Sequence, residues 1–138
     1  MALDPQYTTT GNIGGSSLTT STANSFDGAS GTVGTCFTAG ANGAFISFVK
    51  VKALGANSAA CIARFWLNNG GATTTASNNF LFGELVLPVV PAISATVPVY
   101  ETSLPFNVAV PAGWKVIWLL SAAPTSAGWF ATGVGGDY

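Results

Sequence analysis

The sequence predicts an all-β fold: an antiparallel β-sandwich, jelly-roll-like, of about eight strands. Three observations predict it. Short runs with apolar residues at every second position recur from Gly31 onward. Clusters of glycine, proline and asparagine separate these runs. No segment keeps helical periodicity over about ten residues. A barrel also fits this pattern, and jelly-roll and immunoglobulin-like sandwiches share it, so the strand order stays open.

Residues 1–30 read as a Gly/Ser/Thr-rich N-terminal arm or first strand, and 31–138 as the sandwich. Tyr7-Thr8-Thr9-Thr10 fits a short strand. Residues 11–31 have little to bury and read as loop, or as an arm that orders on contact. Strands are then expected at 32–38, 44–54, 59–67 and 79–87. Ala41-Asn42-Gly43 and Gly55-Ala56-Asn57-Ser58 form the first two turns, and 68–78 (NNGGATTTASN) forms a polar loop. Pro88, Pro91 and Pro98 reduce 92–100 to an edge strand or partly extended segment, because proline cannot donate to a ladder. Further strands fall at 104–110, 114–121 and 127–134, separated by turns at 111–113 and 124–126.

Alternation assigns the faces of three middle strands. Cys61, Ala63, Phe65 and Leu67 point inward, as do Leu81, Leu85 and Leu87, and Phe45, Val49 and Val51. The opposite parity places Ile46, Phe48, Ile62, Trp66, Phe80 and Phe82 outward, with Lys50, Lys52, Arg64 and Glu84 between them. A solvated sheet face is mainly polar, whereas aromatics with an arginine resemble an interface core. Ile46, Phe48, Ile62, Arg64, Trp66, Phe80, Phe82 and Tyr138 are therefore the candidate interface residues. Either a second subunit covers this face or the chain's own N-terminal segment does.

Composition sets what the protein can do. Only 7% of its 138 residues are charged, against about 25% in an ordinary globular chain, and the net charge is −1. The surface is either hydroxyl, amide and backbone, or it is covered in an assembly. Four lysines and arginines are too few to neutralise a nucleic-acid backbone or to hold an anionic membrane. The apolar runs near 85–90 and 116–123 are shorter than the roughly 20 residues of a membrane-spanning helix. No secretory signal is visible after Met1-Ala-Leu-Asp-Pro, which predicts a chain that stays where it is made or leaves by lysis.

The chemistry of catalysis is sparse. There is no histidine, the commonest general base and zinc ligand. Five isolated carboxylates offer Glu84 with Glu101 or Asp137 as the only conceivable acid pair. Cys36 and Cys61 have no base to activate them and read as buried free thiols. Gly11-Asn12-Ile13-Gly14-Gly15 is too loose for a phosphate loop, and no calcium motif is present. No enzyme, no cofactor and no metal are expected.

Five motifs, taken in order, carry a resemblance. They are Gly40-Ala41-Asn42-Gly43 leading into Lys50-Val51-Lys52-Ala53; Arg64-Phe65-Trp66-Leu67 followed by Asn68-Asn69-Gly70-Gly71; Phe82-Gly83-Glu84-Leu85; Val110-Pro111-Ala112-Gly113-Trp114; and Gly135-Gly136-Asp137-Tyr138. Together they resemble a group of small tailed-phage and prophage jelly-roll structural proteins of the virion, including capsid decoration (cement) proteins. The likeness covers about 31–138, leaves the first 30 residues out, and meets middle strands richer in aromatics than the pattern. It implies a bacteriophage protein on the capsid surface, made in the host cytoplasm. It also implies a homo-oligomer, a trimer foremost, that clamps the major capsid protein, with residues 1–30 reaching the shell or a neighbour. Two other functions fit the residues: a tail or head–tail component, and a carbohydrate-binding sandwich. The latter would stack Trp66, Trp114, Trp118 or Trp129 on sugars beside Asn68, Asn69 and Asn78.

Overall fold

The computed structural model describes residues 7–19, 25–124 and 127–138. Eight strands form two antiparallel four-stranded sheets. They are β1 (Thr10–Leu18), β2 (Gly34–Thr38), β3 (Ala44–Ala53), β4 (Cys61–Asn68), β5 (Asn79–Leu87), β6 (Glu101–Val110), β7 (Lys115–Leu120) and β8 (Trp129–Asp137). The first sheet has the order β1-β8-β3-β6 and the second β2-β7-β4-β5. The pairs nest: β4 with β5, β3 with β6, β2 with β7 and β1 with β8. A long antiparallel ribbon paired this way and wrapped over itself brings β3 against β8 and β4 against β7. That is the eight-stranded jelly roll, so the expected sandwich is present and its strand order is settled.

The first strand departs from expectation. Residues 11–18 are not loop: β1 pairs along its whole length with β8. Alternation explains the miss, because the inward positions of β1 are Asn12, Gly14 and Ser16 before Leu18, and no apolar period marks them. Small residues are required there. A Cβ on Gly14 would lie 2.7 Å from the carbonyl oxygen of Cys36, and one on Gly133 would meet the same atom at 2.7 Å. The two sheets thus close tightly on the β1/β2 side, where the Trp118 indole donates to Ser16 Oγ at 2.8 Å. Of the two forms expected for 92–100, an edge strand or a partly extended segment, no ladder strand is formed. Apart from an isolated bridge between Ser94 and Val97, the exposed segment is irregular, as its prolines dictate. Residues 1–6, 20–24 and 125–126, with parts of the expected arm and of the 124–126 turn, lie outside the described residues.

The core lies between the sheets. Ile46, Val49, Val51, Phe106 and Trp129 come from the first sheet, and Phe37, Phe65, Leu87, Trp118 and Leu120 from the second. Phe65 stacks on Trp118 with centroids 6.0 Å apart and meets Phe106 edge-on at 6.4 Å. In the connection between β3 and β4, Asn57 is fully buried. Its side chain donates to Gly128 O and accepts from Gly128 N, both at 3.1 Å, while its backbone bridges to Val90. Three connections are fastened by that one residue.

Candidate functional site: the outer face of the second sheet and the β5 edge

The expected single outward face is not formed, for two reasons. First, β3 belongs to one sheet and β4 and β5 to the other, so their outer faces point away from each other. Second, β-bulges reverse the alternation. In β3 the register shifts between Ile46 and Phe48, so Ile46 turns into the core and Phe48 stays outward, half-buried, opposite Val134 and Pro105. In β5 the partners of Phe65 and Trp66 are Gly83 and Leu81, which leaves Phe82 as the extra residue. Phe80 and Phe82 therefore turn toward the inside of the sandwich at its open edge. Phe82 stacks on Phe106 of the first sheet with centroids 4.1 Å apart, and Phe80 stacks on Trp114 at 5.9 Å.

The outer face of the second sheet does carry Ile62, Arg64 and Trp66, but the chain itself covers most of it. Trp66, Ile117 and Leu119 form a second apolar cluster, with Val33 packed on it. Gly28 has φ +68, and a Cβ there would stand 3.0 Å from the Trp66 ring. Only glycine takes this backbone shape freely and lets the strap of residues 25–33 approach so closely. Ser25 Oγ bonds Asp27 Oδ1 at 2.7 Å and accepts from Gly28 N at 3.1 Å, and Asp27 also accepts from Ala29 N. These bonds hold the Asp27 carboxyl below its ordinary pKa of 3.8, the Ala29 backbone bond contributing most and Ser25 next.

Arg64 anchors the strap. Its guanidinium is buried, pairs with Glu84 across the β4–β5 ladder, donates to Ser25 O at 3.3 Å, and lies 4.1 Å from the Phe26 ring centroid. Of the two coverings that the sequence left open, the chain's own segment covers Arg64 and Trp66. The sequence held a signal for this. Val116–Leu120 is an unbroken apolar run, which alternation cannot explain and which marks a strand buried on both faces.

Beyond the strap the covering stops. Toward β5, Phe26, Phe80, Leu81, Phe82 and Val86 are 67%, 50%, 50%, 37% and 73% exposed. Alternation puts Leu81 inward, and the bulge at Phe82 turns it outward opposite Trp66, while Val86 keeps the outward parity of Glu84 opposite Ile62. Tyr138 lies elsewhere, at the end of β8, with Tyr7, Thr9 and Asn42 around a cleft of about 430 Å³. Asn42 Nδ2 donates to the Tyr138 carbonyl at 3.3 Å.

The sugar-stacking set is also corrected. Trp66, Trp118 and Trp129 are fully buried, and Asn68 bonds Asn79 at 2.8 Å inside the protein. Trp114 is half-buried beneath Phe80. Glu84 is held by Arg64, Glu101 pairs with Lys50 at 3.2 Å, and Asp137 accepts from Asn12 Nδ2 and Gly40 N. Each of the three acids that could have formed a catalytic pair thus has a partner of its own. Burial pushes the Cys36 thiol up to about 12 and raises Cys61 as well, and neither forms a disulfide. Among the described residues no cluster of three metal-ligating side chains occurs, and no helix is long and apolar enough to cross a membrane.

Comparison with known proteins adds little to this geometry. No family model and no curated protein matches the chain. One solved structure, titled "Structure of infectious bursal disease virus Gx strain", aligns with 98% of this chain at 14% identity and a TM-score of 0.31. The alignment spans 36% of that chain, about a third of its length.

Proposed function

We propose that the protein is a non-enzymatic structural component of a virion, a bacteriophage capsid decoration protein that works as a homo-oligomer on the shell formed by the major capsid protein. The observation that carries this reading is the surface. It combines a charged fraction of 7% with a run of exposed apolar side chains along β5. Isolated soluble domains keep more charge, and contiguous apolar patches mark contact sites. The jelly roll suits a packing role, since it presents two broad sheets. The motif order between Gly40 and Tyr138 supports the phage assignment. The partnered acids and un-ionised thiols support a role without catalysis.

The test is co-sedimentation. Purified protein is mixed with shells stripped of their decoration, and bound protein is counted per shell. Saturable binding in an integral ratio to the capsid subunits is expected. Absence of the protein from purified virions, or binding without saturation, would overturn the reading.

A further inference from the structure

The sandwich has four edge strands: β1 and β6 in the first sheet, β2 and β5 in the second. An open edge offers unpaired backbone groups to another strand, and stable proteins block it. Three of the four edges are blocked or bare. β6 carries Pro105, which has no N–H, and Asn107 at φ 48, which breaks the ladder. β2 is five residues long and bulged at Cys36, and its Thr38 carbonyl accepts from Asn12 Nδ2 at 2.9 Å. β1 presents Gly11, Ile13, Gly15 and Ser17 outward, so Ile13 is its one large apolar side chain.

β5 differs from β6 in lacking proline, from β2 in length, and from β1 in its large apolar side chains. It has nine residues and no proline, and beyond its bulge Gly83 to Leu87 pair regularly with β4. Its single charge, Glu84, is already neutralised by Arg64. Phe80, Leu81, Phe82, Val86 and the neighbouring Phe26 together expose about 500 Å² of apolar surface, from the sizes of such side chains. A standard interface takes about 800 Å² from each partner, of which about 60% is apolar. The side chains that flank this edge on its two faces together supply about what one stable contact needs.

We propose that the β5 edge is the seam between two copies of this chain, paired antiparallel about a twofold axis, so that two second sheets join into one of eight strands. The inference rests on the reading that the protein works by assembly, and it names the contact. A second copy is the occupant because the edge carries no net charge to select an acidic or basic partner, and an uncharged, apolar edge complements itself. A twofold seam uses β5 twice. A trimer built by sheet extension would need two different open edges, and the other three are closed or bare.

The experiment is native mass by light scattering over a dilution series, on the full chain and on two variants. Leu81→Lys with Val86→Lys places four positive charges at the seam of a pair, on side chains that are solvent-exposed in the subunit. Ile13→Lys changes the β1 edge. The wild type and Ile13→Lys should weigh twice one chain. The double variant should weigh one chain, a twofold loss, with an unchanged circular dichroism spectrum, a cooperative thermal transition, and a midpoint that no longer depends on concentration. Amide exchange of Leu81 to Val86 should slow with rising concentration in the wild type and in Ile13→Lys, and not in the double variant. A monomeric wild type, a trimer, or a dimer that survives the double substitution would each overturn the seam. Shell co-sedimentation separates the two readings. A dimer that ignores shells refutes the virion role alone, and a monomer that binds them refutes the seam alone.

Discussion

Replacing Glu84 by alanine removes a half-exposed carboxylate, a change that is usually cheap on a surface. Here its partner decides the outcome. The Arg64 side chain is 5% exposed while that of Glu84 is 45% exposed. Without Glu84 the guanidinium keeps Ser25 O and the Phe26 ring but loses the carboxylate that faces it across the β4–β5 ladder. Breaking a buried pair from one side costs about 3–5 kcal/mol, and partial access of water at the Glu84 position lowers this to about 2–3 kcal/mol. Arg64→Met leaves Glu84 facing solvent and loses the ring contact and the hydrogen bond to Ser25 O, about 1–2 kcal/mol after the apolar stem of Met is counted. The double variant should fall close to Arg64→Met, because the guanidinium that Glu84→Ala deprives of its carboxylate is gone. For a chain of 138 residues, 1 kcal/mol moves the thermal midpoint by about 3–4 °C, so Glu84→Ala should lose about 6–12 °C. Guanidinium titrations followed by tryptophan fluorescence, with calorimetry alongside, measure all three variants. If Glu84→Ala costs no more than Arg64→Met, the ion pair does not anchor the strap and the reasoning fails.

Three further outcomes are expected. Asn57→Ala should cost about 2–4 kcal/mol in a denaturant titration, since it removes two hydrogen bonds and strands the buried Gly128 N–H; a loss below about 1 kcal/mol would contradict the clamp. Gly14→Ala should cost about 1–3 kcal/mol, because its methyl would press on the Cys36 carbonyl and part the sheets where they are closest; an unchanged midpoint would mean that the β1/β2 side yields. Cys36 and Cys61 should resist a thiol reagent at neutral pH until the chain unfolds. The folded Cys36 thiol stays protonated up to about pH 12, while in the unfolded chain it ionises near 9.0, so its contribution to stability should fall as pH rises from 9.0 toward 12. Cys36→Ala should flatten that decline, and a wild-type curve no steeper than the variant's would refute the assignment.

Most strands were legible in the sequence because alternation and turn residues are local. The 79–87 strand coincides with β5, and the start of β3 falls at Ala44 as expected. The inward parity of Val49, Val51, Phe65 and Leu87 also held, since a strand sends successive side chains to opposite faces wherever its pairing is regular. The absence of histidine and the scarcity of charge were fixed by composition alone.

Tertiary structure decided the rest. Bulges at Ile46/Phe48 and at Phe82 turned Ile46, Phe80 and Phe82 to the opposite face, and a bulge depends on the partner strand's hydrogen bonds, which no local pattern encodes. The nesting of β1 with β8 recruited a glycine- and serine-rich stretch into the sheet because close approach, rather than apolar period, is what that position demands. Arg64 and Trp66 look like interface residues in one dimension. They become core residues only when residues 25–33, some 40 positions earlier, fold back across them. The exposed edge is what remains once those long-range contacts are made, and that is why β5 could not be singled out before the sheets were assembled.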